Sequence, residues 1–210
     1  MPSADSLTQP VTNTADLRQR YGQPFPPSLY KEIDHVSPDY RAMIEASPFV
    51  AIATSGPGGL DCSPRGDAPG FVRVADEKTL QMPDRPGNNR IDSFSNILHD
   101  PRVGMLFLIP GVGETLRVNG RATISVEPQL LESFAIDGKL PRSVLVVAVD
   151  SVYFQCSKAL VRSKLWDPSQ HIPRSALPST GSMVSALSKG AIDGDAYDRD
   201  APARIKSMLY

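Results

Sequence analysis

Between residues 115 and 126 the chain alternates without a break. Leu116, Val118, Gly120, Ala122, Ile124 and Val126 fall on one side, and Thr115, Arg117, Asn119, Arg121, Thr123 and Ser125 on the other. Successive side chains of a β-strand point to opposite faces, so this pattern predicts a strand with one apolar and one polar face. It is roughly twice the usual strand length of about five or six residues. A strand of that length fits a curved, barrel-like sheet, and Gly120 offers a bend point.

Further strands are expected around it. Ser37-Pro38-Asp39 starts a helix (N-cap, proline in the first turn, acid nearby) that runs to Ala46, before Ser47-Pro48 stops it. Residues 49–54 then read as a buried strand, 55–59 as a turn and 60–65 as the returning strand. Pro64 has no N–H for a ladder, so that strand has an edge or a bulge there. Residues 71–74 and 79–82 form a hairpin across the polar connection 75–78. Residues 103–109 form a strand turned by Gly111-Val112-Gly113. Residues 143–149 read as an apolar strand buried on both faces, bent by Asp150-Ser151 into 152–156. Helices are expected from Arg90 to His99 (Ile91, Phe94, Ile97 and Leu98 on one face), over 128–136, and after a Ser157 cap. Residues 1–36 read as an arm with a short helix over 16–21. Residues 167–210 form a C-terminal extension with no strong element over 178–194 and a short helix near 201–209.

Composition narrows the function. A formal net charge of -1 over 210 residues makes no electrostatic case for nucleic acid. The longest apolar run, 144–149, is far too short to cross a membrane, and the N-terminus has no apolar signal core. A cytoplasmic protein is the expectation, with Cys62 and Cys156 as free thiols. His35, His99 and His171 are scattered without ligand spacing, so no metal site is expected.

Two groups of residues suggest chemistry. In Asp84-Arg85-Pro86-Gly87-Asn88-Asn89-Arg90 a Gly/Asn loop opens a helix, where free backbone N–H groups and the helix dipole favour an anion. Arg90 adds a fork-shaped donor suited to phosphate. Read alone, the loop is either such a phosphate seat or an ordinary helix cap. After Ser157, four-residue steps place Lys158, Arg162 and Trp166 in one row. The cations suit an anion and the indole a flat ring, or the tryptophan packs on a neighbour beside two surface cations.

The order of these segments resembles the FMN-binding split-barrel family, best known from pyridoxamine 5′-phosphate oxidase: an arginine-bearing strand, a hairpin, Gly87-Asn88-Asn89-Arg90, a helix, then Asp100-Pro101-Arg102-Val103-Gly104-Met105-Leu106-Phe107. The likeness spans residues 39–166. It implies a mainly β fold, a six- or seven-stranded antiparallel split barrel with flanking helices in a domain over 37–166. It also implies a homodimer with FMN at the subunit interface. Arg65 and Gly66 would lie along the flavin, with Met82 and Pro83 at the end of the hairpin, and Asn88, Asn89 and Arg90 at the phosphate. Thr115 stands where the family often places a hydrogen bond to the ring, and Lys158, Arg162 and Trp166 would complete the opposite subunit's site. The alternative for Arg65 is a solvated strand-end charge.

The implied activity is that of an FMN-dependent oxidoreductase acting on a small molecule, in which no side chain has to be a nucleophile. The alternatives are a flavin carrier or sensor without turnover and a haem-binding relative. No histidine in a site-like position argues against haem. Members that oxidise vitamin B6 carry an arginine and a histidine two residues apart near the C-terminus. Here Arg162-Ser163-Lys164 stands instead and the nearest histidine is His171, which argues against that substrate.

Overall fold

The computed structural model describes residues 10–210. They fall into two compact units, divided between Glu32 and Ile33. The described part of the first holds two short helices, α1 (Thr14–Tyr21), capped by the Asn13 side chain, and α2 (Pro27–Tyr30).

The second unit is built on seven strands: β1 (Phe49–Gly56), β2 (Gly59–Gly66), β3 (Arg73–Asp76), β4 (Thr79–Pro83), β5 (Arg102–Leu108), β6 (Thr115–Ser125) and β7 (Val144–Gln155). All pairings are antiparallel, in the order β2-β1-β5-β6-β7-β4-β3. The sheet curls, and because its edges β2 and β3 do not pair with each other the barrel stays open, or split. Its interior is filled by alternate side chains, with Val50, Ile52, Leu80, Met105, Leu116, Val118 and Val147 each at most 1% exposed. Each such side chain contributes about 1.5–3 kcal/mol on leaving water. Helix α3 (Pro38–Ala46) starts where the sequence predicts: the Ser37 hydroxyl accepts the Tyr40 N–H, and Tyr40 and Ile44 turn into the core.

The long alternating strand forms as β6, but its start differs from expectation. Thr115 is buried instead of lying on a wet face. The segment after β7 covers this end: Gly113 packs against Ser157, and the Trp166 indole N–H donates to the Val112 carbonyl at 2.8 Å. On β7 the expected bend is a bulge within one continuous strand. Asn119 faces Ser151 and Gly120 faces Val149, so Asp150 is the extra residue. Nor is β7 buried on both faces, since Ala148 and Asp150 are exposed. Pro64 is tolerated because β2 is an edge. Its register with β1 is unbroken, so the bulge considered there is absent.

Other boundaries shift for local reasons. The first hairpin strand begins at Arg73, because the Phe71 N–H closes a turn onto Ala68. Helix α4 (Asp92–His99) starts after Arg90, and Leu98 faces solvent. Helix α5 (Pro128–Ser133) is shorter than predicted. Asp137 and Gly138, at φ 49° and 74°, make a tight turn that bridges Ile136 to Lys139.

Helix α6 (Lys158–Ser163) is also short. Ser157 makes no side-chain cap, and Lys164 takes a left-handed φ of 52° that ends the helix. Trp166 is therefore off the helix, and its row with Lys158 and Arg162 does not form.

The extension holds two helices; weak helix-formers hid the first, and of the second only the latter part, from 201, is expected from the sequence. These are α7 (Thr180–Leu187), capped by Ser179, and α8 (Gly194–Ser207), capped by Asp193 with Pro202 inside. They meet where Gly181 and Gly194 bring their backbones together, and Asp198 accepts the Gly181 N–H at 2.7 Å. Specific caps and a glycine contact outweigh propensity here.

Candidate functional site: an arginine-lined cleft

A cleft of about 380 Å³ opens between the end of β2, the end of β4 and the loop before α4. That volume lies near the lower end for small-molecule sites. Of the residues expected at the cofactor, Arg65, Gly66, Pro83, Asn88, Asn89 and Arg90 line this one cleft. Met82 is adjacent in β4 but buried in the core. Thr115, Lys158, Arg162 and Trp166 do not line it; Trp166 bonds the Val112 carbonyl and Thr115 pairs with Gln155 on β7.

The loop's shape is unusual. Asn89 and Ile91 both have positive φ, 60° and 32°. Asparagine tolerates that region, whereas a β-branched residue there is strained and persists only when its surroundings impose it. The Asn88 side chain accepts the Arg90 N–H at 3.1 Å, so that amide is not free for a ligand. No side chain caps the start of α4. The helix is held on the barrel by Asn96, which donates to Thr54 at 3.1 Å in the space left by Gly56.

Four arginines line the cleft (Arg65, Arg85, Arg90 and Arg142) against one acid, Asp84. Two are already paired. Arg90 holds Asp92 at 2.8 Å in an exposed pair, and Arg85 holds the nearly buried Asp67 at 2.9 Å. Burial pushes the Asp67 carboxyl up, but the Tyr210 hydroxyl, the Ala68 N–H and Arg85 together outweigh it and keep it below the usual range.

Arg65 and Arg142 have no carboxylate at ion-pair distance among the described residues. Arg142 donates to the Asn89 side chain at 2.6 Å, fixing the loop, and its backbone N–H bonds the Asp84 carbonyl at 3.3 Å. Burial raises the Asp84 carboxyl, against the opposing pull of Arg65 and Arg142. The cleft thus carries excess positive charge beside a single acid, Asp84. Such a donor set fits a doubly charged phosphate ester.

Sequence reasoning missed Arg142 and Asp84. Asp84 was read only as part of the loop, and Arg142 lies 53 residues from its loop partner Asn89. Only the pairing of β4 with β7, which sets Pro83 beside Val144, brings them together.

The structure is thus a split barrel whose strand-end cleft gathers arginines over a strained, asparagine-bearing loop. The pattern of the pyridoxamine 5′-phosphate oxidase family matches residues 36–156, more than half of the chain, and the chain belongs to that family. No curated protein matches it. Among solved structures, HupZ from Group A Streptococcus is 17% identical, over 58% of this chain and 95% of that one, with a TM-score of 0.47. A putative pyridoxamine 5′-phosphate oxidase from Lactobacillus delbrueckii is 16% identical over 58% and 95%, with a TM-score of 0.45. An FMN-binding protein from Syntrophomonas wolfei is 10% identical over 67% and 95%, with a TM-score of 0.41. Helices α6 to α8 lie beyond the span that the family pattern matches. None of the helices among the described residues is long and apolar enough to cross a membrane. Cys62 and Cys156 are free and exposed.

Proposed function

We propose that the chain is an FMN-dependent oxidoreductase that seats the flavin phosphate in the arginine-lined cleft. The observation that carries this reading is the pair Arg65 and Arg142, which flank the cleft without carboxylate partners of their own. Family membership supports a flavin as the ligand. Bound FMN would supply reversible hydride or electron transfer, and the protein's part is to hold and orient it. Arg65 and Arg142 neutralise the phosphate, and Asn88 and Asn89 shape the loop around it.

The same reading makes the active form a homodimer. Lys158, Arg162 and Trp166 do not line the cleft of their own chain, and in this reading a two-fold partner brings them to the flavin ring. The absorption spectrum of freshly purified protein, with the released cofactor identified by mass, tests the ligand. Turnover with a reduced nicotinamide donor tests the enzyme. Release of FMN together with such turnover is expected. FMN without turnover under any donor would leave a carrier, and a deazaflavin or haem would replace the cofactor assigned here.

A further inference from the structure

An acid close to an anion seat weakens it by repulsion unless it does something else. Asp61 is such an acid. Asp61, Ser63 and Arg65 alternate along β2 and so share one face of that strand. The Asp61 carboxylate accepts from the Ser63 hydroxyl at 2.9 Å and, through the same oxygen, from the Ser93 hydroxyl. Ser93 lies in the first turn of α4 and is 2% exposed. Its oxygen in turn accepts from the Arg65 guanidinium at 3.4 Å. The hydrogen bonds therefore run Arg65 to Ser93 to Asp61, with Ser63 closing on Asp61 from the strand. This is the only link among the described hydrogen bonds between the Arg65 guanidinium and a side chain of another element.

We propose that Asp61 is a positioning residue of the cleft, acting through the buried Ser93 hydroxyl to aim the Arg65 guanidinium at a phosphate. The proposal rests on the reading of the cleft as a phosphate seat. The carboxylate polarises the serine hydroxyl and fixes its rotor, so the serine oxygen presents a lone pair to Arg65. The same oxygen joins β2 to the start of α4, so strand and loop, which form two walls of the cleft, keep one spacing. A long flexible side chain held this way loses less freedom when a ligand arrives.

Repulsion and positioning predict opposite signs. The experiment measures affinity for FMN and for riboflavin, by calorimetry on the full chain, in Asp61→Ala, Asp61→Asn, Ser93→Ala, Arg65→Ala and the Asp61→Ala/Arg65→Ala double variant. Asp61→Ala and Ser93→Ala should weaken FMN by about threefold to tenfold, the scale of one hydrogen bond, and leave riboflavin unchanged. Asp61→Asn, which keeps an acceptor, should retain most of the affinity. In the Arg65→Ala background Asp61→Ala should cost nothing further, because the side chain it aims is gone. Tighter FMN binding in both Asp61 variants would overturn the proposal in favour of repulsion. Full additivity with Arg65→Ala, or equal losses for riboflavin, would also overturn it. If Asp61→Ala does not fold, Ser93→Ala carries the same comparison without changing charge. Wild-type protein that binds FMN no better than riboflavin would overturn the phosphate seat and the relay together. Wild-type protein that prefers FMN but ignores Asp61→Ala and Ser93→Ala would overturn the relay alone.

Discussion

The structure ranks the cleft arginines in an order the sequence does not suggest, and Arg142→Ala tests it. Arg142 has no carboxylate partner among the described residues, so a phosphate would be its first full ionic contact. Losing one charge-assisted hydrogen bond costs about 1.5–3 kcal/mol, or roughly tenfold to a hundredfold in affinity. Arg90, the arginine favoured by sequence, already holds Asp92 at 2.8 Å with its side chain 76% exposed. A phosphate must compete with Asp92 there, so its net contribution falls to that of a surface pair, about 0–1 kcal/mol or up to fivefold. FMN titration by calorimetry in low and high salt should show Arg142→Ala weaker than Arg90→Ala, with riboflavin unmoved in both. Arg142 also tethers Asn89 at 2.6 Å, so Asn89→Ala is the control for loop loosening. A larger loss in Arg90→Ala would refute the ranking. If Asn89→Ala reproduces the Arg142→Ala loss in full, Arg142 acts on the loop and not on the phosphate.

Two further outcomes follow from the packing. A methyl group on Gly120 would press on the Ala148 carbonyl and come within 2.9 Å of Val147 Cγ1, both beside the β7 bulge. Gly120→Ala should therefore lower stability by about 1–3 kcal/mol in urea unfolding, and an unchanged midpoint would show that the bulge can give way. Asp67 has a carboxyl held below its ordinary value, so its stabilising contribution is complete above the unfolded value of about 4 and fades as pH falls through the folded one. Asp67→Asn should cost about 1.5–3 kcal/mol at neutral pH, with the gap to wild type closing in acid. A gap that stays constant would mean that the Asp67 charge is not what holds Arg85.

What the sequence made legible was whatever a local period or cap encodes. β6 and α3 stand where alternation and the Ser37 cap place them. Asn88, Asn89 and Arg90 gather in one cleft because they are consecutive. The signals that failed were those decided by distant partners. Thr115 reads as wet until the 157–166 segment covers its end of the barrel. Trp166 reads as helical until Lys164 turns left-handed. The first part of α8, ahead of Pro202, is concealed, and its Asp193 cap and glycine contact with α7 are not marked by any local period. Arg142 carries no local mark at all, because its relevance comes from a strand pairing.

The extra residue in β7 has a consequence for how the length of this chain can vary. Before Asp150 the inward residues of β7 are Leu145, Val147 and Val149, and after it Val152 faces inward opposite Val118. Two residues therefore separate Val149 from Val152 where plain alternation has one. Removing the codon for Asp150 would leave Val149 and Val152 both inward and Ser151 still opposite Asn119, as a regular ladder. Removing Ser151 instead has the same outcome, with Asp150 opposite Asn119, whereas losing a residue elsewhere in the strand would turn every side chain between that point and the bulge to the wrong face. The bulge, Asp150 or Ser151, is thus the one place in β7 where a single-residue deletion keeps the interior intact. Related chains that differ in length within this strand should differ there and keep the apolar register on both sides of it.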